Sequence, residues 1–327
     1  MSDTVTLPSA EKIAERSTDV PWYEKTIPAE KLDGAARELL ENYSKIPPSE
    51  VESHVYNIVR FPFTKECNKA WSVFPFPCIG GFRFLDLAIA SSPYYPTLLS
   101  RLSTSDTKFL DLGCCVGQEL RKLVHDGAPS EKLYGCDLRS EFYDVGYDLF
   151  KDKDTLKTTF LTADIFDEEN EDLKKLEGDI DVVYAGSFLH LFGWDDQVKI
   201  CKRLTKILKK EGSVVMGRQV GEVTAGERTH TVDTSRTLFV HNKESFERMW
   251  KEVGESTGTK VCCHHYHLLH LLHPSGSRTD LRLCSGGWSV RWSIQDLLTG
   301  ERIKIRAGFC LQCSGSNSQI ASGHLVR

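Results

Sequence analysis

The chain has 327 residues, a formal charge of −5, 40% hydrophobic and 27% charged residues, enough for one large α/β domain with extra helices or for two small domains. That charge, without any clustered basic run, excludes a binder of nucleic-acid backbones. The polar segment 1–19 has no apolar signal core or arginine-rich transit pattern, and no apolar run nears the ~20 residues of a membrane helix, so a cytoplasmic protein without a membrane span is expected.

The first region, residues 1–103, reads as helices and loops rich in aromatics and proline. Ala29–Tyr43 carries helical apolar spacing at Leu32, Ala36, Leu39 and Leu40. After Pro47-Pro48 a second helix is expected over Ser49–Val59, with Ser49 and Glu52 in a capping-box pattern. Phe74–Leu85 reads as a turn leading into a helix.

From 104 to 260 short apolar runs alternate with amphipathic stretches. Strands are predicted at Lys108–Leu112, Lys132–Leu138, Thr158–Ala163, Ile180–Ala185 and Gly212–Arg218, and helices at Gln118–His125, Glu141–Phe150, Leu173–Leu176 and Trp194–Lys209. This alternation implies a Rossmann-like α/β fold, a mostly parallel sheet with helices on both faces. Ligands then belong at the C-terminal ends of the strands, where strand order reverses.

The third region, 261–327, differs in texture, with six of the eleven histidines and five of the eleven cysteines. Alternation at Trp288, Val290, Trp292 and Ile294, and again at Ile303 and Ile305 about Thr299-Gly300, predicts a C-terminal antiparallel hairpin over 288–311. Residues 261–287 lack a clear period. Without a secretory signal the cysteines are expected reduced, and the isolated pair Cys310 and Cys313 is weak evidence for zinc or redox chemistry. The histidines at 264, 265, 267, 270 and 273 mimic a metal site, but no metal is expected.

The chemistry concentrates in Phe109–Gln118. An apolar strand ends at Asp111 and turns through Gly113 and Gly117 into a helix. Gly113 permits a tight turn close to a ligand, and the free N–H groups after Gly117 favour an anionic group. A dinucleotide site prefers glycine where Cys115 stands; that substitution and the acid before the first glycine favour S-adenosylmethionine (SAM) over NAD. Asp111 suits the cationic amino end of SAM. Asp137, ending the second strand, suits the ribose hydroxyls; Asp164, after the third, suits the adenine amino group, with Ile165 against the ring. Any one acid alone reads equally as a helix cap. Small residues at Ala185–Ser187 let a cofactor lie against the fourth strand. His190 follows at the mouth, as a proton acceptor, a substrate hydrogen-bond donor or a structural residue.

These strings, with P-C-I-G-G-F-R-F-L, D-L-G-C-C-V-G-Q-E, D-G-A-P-S-E-K-L-Y-G-C-D-L, F-L-H-L-F and G-R-Q-V-G, resemble class I SAM-dependent methyltransferases, and more closely the fungal methyltransferases of meroterpenoid pathways such as those to austinol, andrastin and terretonin. The similarity spans roughly residues 22–260. It implies methyl transfer to a terpenoid-type small molecule, typically esterifying a carboxylate, and cofactor contacts at Asp111, Gly113, Gly117, Asp137, Leu138, Asp164 and Ile165, with Ser187 beside them. Against the resemblance, residues 261–287 read as an insertion before the terminal hairpin. Over the site an N-terminal helical lid is expected, with Trp22, Tyr23, Trp71 and Arg83 on the substrate side, Arg83 for a substrate carboxylate. A phenol or carbon acceptor would instead need His190 as base. A catalytically impaired SAM-binding protein and a homodimer both stay open.

Overall fold

The computed structural model describes residues 18–60, 69–209, 211–230, 233–272, 278–284 and 304–314. Five strands run parallel: β1 (Phe109–Leu112), β2 (Leu133–Asp137), β3 (Thr159–Thr162), β4 (Val182–Gly186) and β5 (Val214–Glu222). Their order in the sheet is β3-β2-β1-β4-β5. Winding therefore reverses between β1 and β4, and the crevice for a ligand opens beyond the ends of those two strands.

Helices α6 (Gln118–His125), α7 (Glu141–Phe150), α8 (Glu171–Lys175) and α9 (Trp194–Ile207) make the crossovers. The two-residue strand period sorts side chains between two cores. Leu110, Leu112, Val183 and Val215 join α9 residues Ile200, Cys201, Leu204 and Ile207 on one face. Phe109, Val182, Tyr184, Val214 and Met216 join Leu120 and Leu123 of α6 on the other, with α5 (Tyr95–Thr104) outside them. Each large aliphatic chain so buried stabilises the fold by about 1.5–3 kcal/mol.

A third core holds the N-terminal region. It comprises α1 (Ala35–Glu38) running into a π-turn (Leu39–Tyr43), α2 (Val51–Arg60), α3 (Lys69–Val73), α4 (Pro77–Gly80) and 3-10 turns at Ala29–Lys31, Arg83–Asp86 and Ala88–Ser91. Leu39, Val51, Val55, Trp71, Ile79 and Phe82 pack there on Phe142, Val145 and Leu149 of α7 and on Val116 of the glycine turn. The expected helix over Ala29–Tyr43 is thus broken into three short pieces, and α2 begins two residues after Ser49.

Past β5 the structure adds elements that the apolar runs did not announce. A hairpin of β6 (Gly226–Thr229) and β7 (Thr237–Val240) leads to α10 (Lys243–Thr257), opened by a capping box between Asn242 and Ser245. α10 buries Phe246, Met249, Trp250 and Val253, a helical spacing visible in retrospect. The backbone of β8 (Lys260–Leu272) and β9 (Arg278–Cys284) forms an antiparallel hairpin inside the stretch read as an insertion. β10 (Lys304–Ser314) pairs antiparallel with both β5 and β8, extending the sheet to eight strands. The Trp288–Ile294 arm of the expected hairpin lies outside the described residues. No described helix is long and apolar enough to cross a membrane.

Candidate active site

The glycine turn is pinned to the neighbouring strand by its own backbone. The N–H groups of Gly113 and Cys114 both donate to the Cys136 carbonyl, at 2.8 and 3.1 Å. Gly113 (φ +74°), Cys115 (φ +51°) and Gly117 (φ +66°) are left-handed within five residues. Such φ values suit glycine and strain Cys115. The Cys115 N–H donates to Asp137 Oδ2 at 2.9 Å, and Arg139 N–H to Oδ1 at 3.1 Å. The carboxylate expected at the ribose thus also locks the turn. Burial pushes its carboxyl up, opposed by the N–H donors of Cys115, Arg139 and Leu138.

Beneath the turn lies an acidic pair. Asp111 is 2% exposed, and one of its oxygens has no hydrogen-bond partner. Burial, then Glu119 and Asp137, hold its carboxyl well above the usual range. Glu119, equally buried on the first turn of α6, accepts from Ala88 N–H at 2.9 Å and Ile89 N–H at 3.1 Å. Burial raises it to about 7, against the Arg218 guanidinium and those two donors. An orphaned buried carboxylate oxygen is costly unless a donor or cation arrives. A ligand with an ammonium end fits that need, as SAM does, and Asp137 carries acceptor oxygens one strand away.

At the other strand ends, Leu138 is half-buried after Asp137. Half-buried Asp164 closes a local turn by accepting from Phe166 N–H at 3.0 Å, while Ile165 is 6% exposed within the core. Ser187 is left-handed (φ +58°) and donates its N–H to the Arg218 carbonyl at 2.7 Å. Next to it, the Phe188 ring lies over Gly113, where an added Cβ would meet it at 2.5 Å. Phe188 also packs on Phe192, and Phe192 on Phe166. His190 sits in the 3-10 turn Leu189–Leu191, half-buried, and its Nδ1 accepts from Val220 N–H at 3.5 Å.

In the N-terminal region, the structure brings together three of the four residues expected on the substrate side. Tyr23 meets Trp71 edge-on at 4.9 Å, and Trp22 and Trp71 both close on Gly80. Arg83 is exposed. Several contributors went unread in the sequence: Glu119, Phe188, and an ion-pair relay in which Lys31 and Arg218 both reach Asp86, Arg218 at 3.6 Å. Arg218 lies opposite Gly186 in the β4–β5 ladder, so the relay ties the N-terminal region to the sheet. Glu119 had a faint signal, an acid two residues after Gly117 at a helix start. The relay had none, its members being distant in the chain. Cys310 and His264 are backbone register partners in the β10–β8 ladder.

Comparison with known proteins gives the family. Residues 22–85 match the model of the meroterpenoid methyltransferase N-terminal domain, and residues 109–212 match a methyltransferase domain. O-methyltransferase atr3 of Stereocaulon alpinum is 49% identical over 242 residues, covering 74% of this chain and 67% of that one. O-methyltransferase phiE of a fungal species is 45% identical over 251 residues, covering 76% and 80%. Asnovolin E/Chermesin D methyltransferase nvfJ of Aspergillus novofumigatus is 40% identical over 238 residues, covering 72% and 82%.

Proposed function

The chain belongs to the fungal meroterpenoid methyltransferases, SAM-dependent enzymes of secondary metabolism, and from that premise we propose that it methylates a carboxylate of a terpenoid-type small molecule to a methyl ester. The observation that carries this reading is the 49% and 45% identity to two O-methyltransferases, and it is supported by His190 Nδ1 lying 3.5 Å from Val220 N–H, at the outer limit of a hydrogen bond. A neutral imidazole that accepts at Nδ1 carries its proton on Nε2. In that tautomer Nδ1 of His190 would not serve as a base. A carboxylate is already ionised near neutral pH and needs no base, whereas a phenol or an enolisable carbon does.

When bound, SAM supplies an electrophilic methyl group on its sulfonium sulfur. Asp111 would take the ammonium end, and Gly113 and Gly117 would let the backbone approach the methionine portion. Asp137 and Leu138 would flank the ribose, Asp164 and Ile165 the adenine, and Ser187 the strand-end side of the cofactor. Trp22, Tyr23 and Trp71 would cover an apolar acceptor, excluding water, with Arg83 drawing in its carboxylate by a two-pronged contact. The rate would then come from orientation in a dry crevice.

The test is turnover with labelled SAM on an extract of terpenoid acids and phenols, with each product identified by mass, for the native enzyme and His190→Ala. Ester formation surviving within about tenfold in His190→Ala supports the proposal. A loss of roughly 10²–10⁴, the span of general-base catalysis, or a product methylated on a phenol or carbon, refutes it. Unchanged substrate affinity in Arg83→Ala would remove that residue from the site.

A further inference from the structure

One cation at the end of the sheet has no part in the chemistry above. Arg218 belongs to the string G-R-Q-V-G on β5 and stands opposite Gly186, the last residue of β4. The two-residue strand period puts its side chain on the face of Val214 and Met216, which pack with Tyr184. That side chain is 22% exposed, and its Nη2 lies 3.6 Å from Asp86, within ion-pair range but beyond a normal hydrogen bond. Among the described residues the guanidinium donates no hydrogen bond. Arg121, by contrast, donates from all three of its nitrogens. A half-buried guanidinium presents its N–H donors in a fixed fork, and leaving them without acceptors is costly.

The acids beside Arg218 do not take up that fork. Asp86 is also paired with Lys31. Glu119 already accepts from the Ala88 and Ile89 N–H groups, and its carboxyl is raised to about 7, so near neutral pH it carries only part of a charge.

We propose that Arg218 is the inner binding residue for the acceptor carboxylate, held by a two-pronged contact that selects the acid substrate over its ester product; this rests on the carboxyl methylation proposed above. The planar fork of an arginine matches both oxygens of a carboxylate. Position favours the acceptor over the cofactor. Asp111 and the glycine turn, proposed for the methionine end of SAM, follow β1, and β4 stands between β1 and the strand of Arg218. Arg83 is exposed and suits capture at the entrance. Charge decides what Arg218 contributes. As the carboxylate oxygen bonds to the methyl carbon and the carbon–sulfur bond breaks, the anion becomes a neutral ester. The ion pair is therefore strongest with the bound acid, weaker at the transition state and lost in the product. Such an interaction lowers KM and releases the ester without raising kcat.

The experiment takes the terpenoid acid esterified in the labelled-SAM assay, its methyl ester, and SAM. Each is titrated by calorimetry into the full chain, Arg218→Gln and Arg218→Lys, the acid and ester with S-adenosylhomocysteine present, and KM and kcat are measured for the acid. In Arg218→Gln the acid should bind roughly 10–100-fold more weakly and KM should rise to match, with kcat, ester affinity and SAM affinity within about threefold of native. Arg218→Lys should recover part of the loss. Equal losses for acid and ester show a structural role, a matching loss for SAM assigns the fork to the methionine carboxylate, and unchanged acid affinity leaves Arg218 outside the site; each overturns the proposal. The unsubstituted protein should bind the acid at least about tenfold more tightly than the ester, and equal affinities there overturn it even if the variants fail to fold. A phenol or carbon product in the labelled assay refutes the carboxyl reading itself, whereas ester formation with an unmoved KM in Arg218→Gln refutes only the role of Arg218.

Discussion

Replacing Asp152 by alanine would strip a fully buried guanidinium of its carboxylate. Arg121, 0% exposed, donates from Nε to Asp152 Oδ2 at 2.7 Å and from Nη2 to Oδ1 at 2.9 Å. An uncompensated buried charge costs about 3–5 kcal/mol. Two features place this site near the lower end: Nη1 keeps the Val116 and Gly117 carbonyls, and the Phe150 ring lies 4.8 Å from the guanidinium carbon. The Tyr43 hydroxyl loses its acceptor in the same variant, adding about 1 kcal/mol. The expected loss is about 4 kcal/mol. At ~2–4 °C per kcal/mol for a domain of this size, that lowers Tm by roughly 8–16 °C in a thermal melt. Since Arg121 also holds the last two carbonyls of the glycine turn, SAM should bind more weakly and rescue Tm less than in the native protein. The double variant Arg121→Met/Asp152→Leu, which removes both charges, should recover most of the loss. A fall under about 1 kcal/mol in Asp152→Ala would refute the reasoning, because it would mean that the guanidinium was never dependent on its partner.

Glu119 has a pH signature. Its folded-state carboxyl is raised from 4.5 to about 7, so the folded form binds the proton more tightly. The associated stability is full below pH ~4.5 and is lost as pH rises through about 7, amounting to about 3 kcal/mol. Glu119→Gln should therefore flatten the decline in denaturant midpoint between pH 5 and 8, and an equal slope in both proteins would count against it. Asp137→Ala removes the acceptor of Cys115 and Arg139 N–H together with the proposed ribose contact; SAM affinity measured by calorimetry should fall roughly 10–100-fold, and retained affinity would undercut the assignment. Gly113→Ala places a methyl at φ +74° and 2.5 Å from the Phe188 ring. It should cost about 1–2 kcal/mol in backbone strain alone and abolish SAM binding, with Phe188→Ala added to the alanine variant recovering part of the Tm loss and none of the binding.

How much of this was legible depended on the range of the signal. α6 and α7 fall at the predicted residues, and the five parallel strands lie within two residues of theirs at the start, because local apolar periodicity and glycine placement decide such elements. Fully missed, α10 nonetheless carried its cap at Asn242 and its apolar spacing in plain view. The first helix broke up because its apolar positions answer to packing against α6 and the Arg83–Asp86 turn rather than to their own propensity. The opened site shows the same division. Asp111, Asp137 and Asp164 were readable as acids at strand ends, but the sequence could not say that Asp111 would keep an orphaned oxygen or that Asp137 would brace the turn.

By itself, then, the chain of residues determined a Rossmann-like sheet, a glycine turn shaped for SAM, and membership of a methyltransferase family, since each rests on neighbours a few positions apart. Tertiary structure alone decided that Arg121 is a buried strut rather than a solvated helix residue, and that Asp86 joins Lys31 to Arg218. Those pairings join residues far apart in sequence, and only the folded backbone sets their distance and strips away the water that would otherwise make them weak.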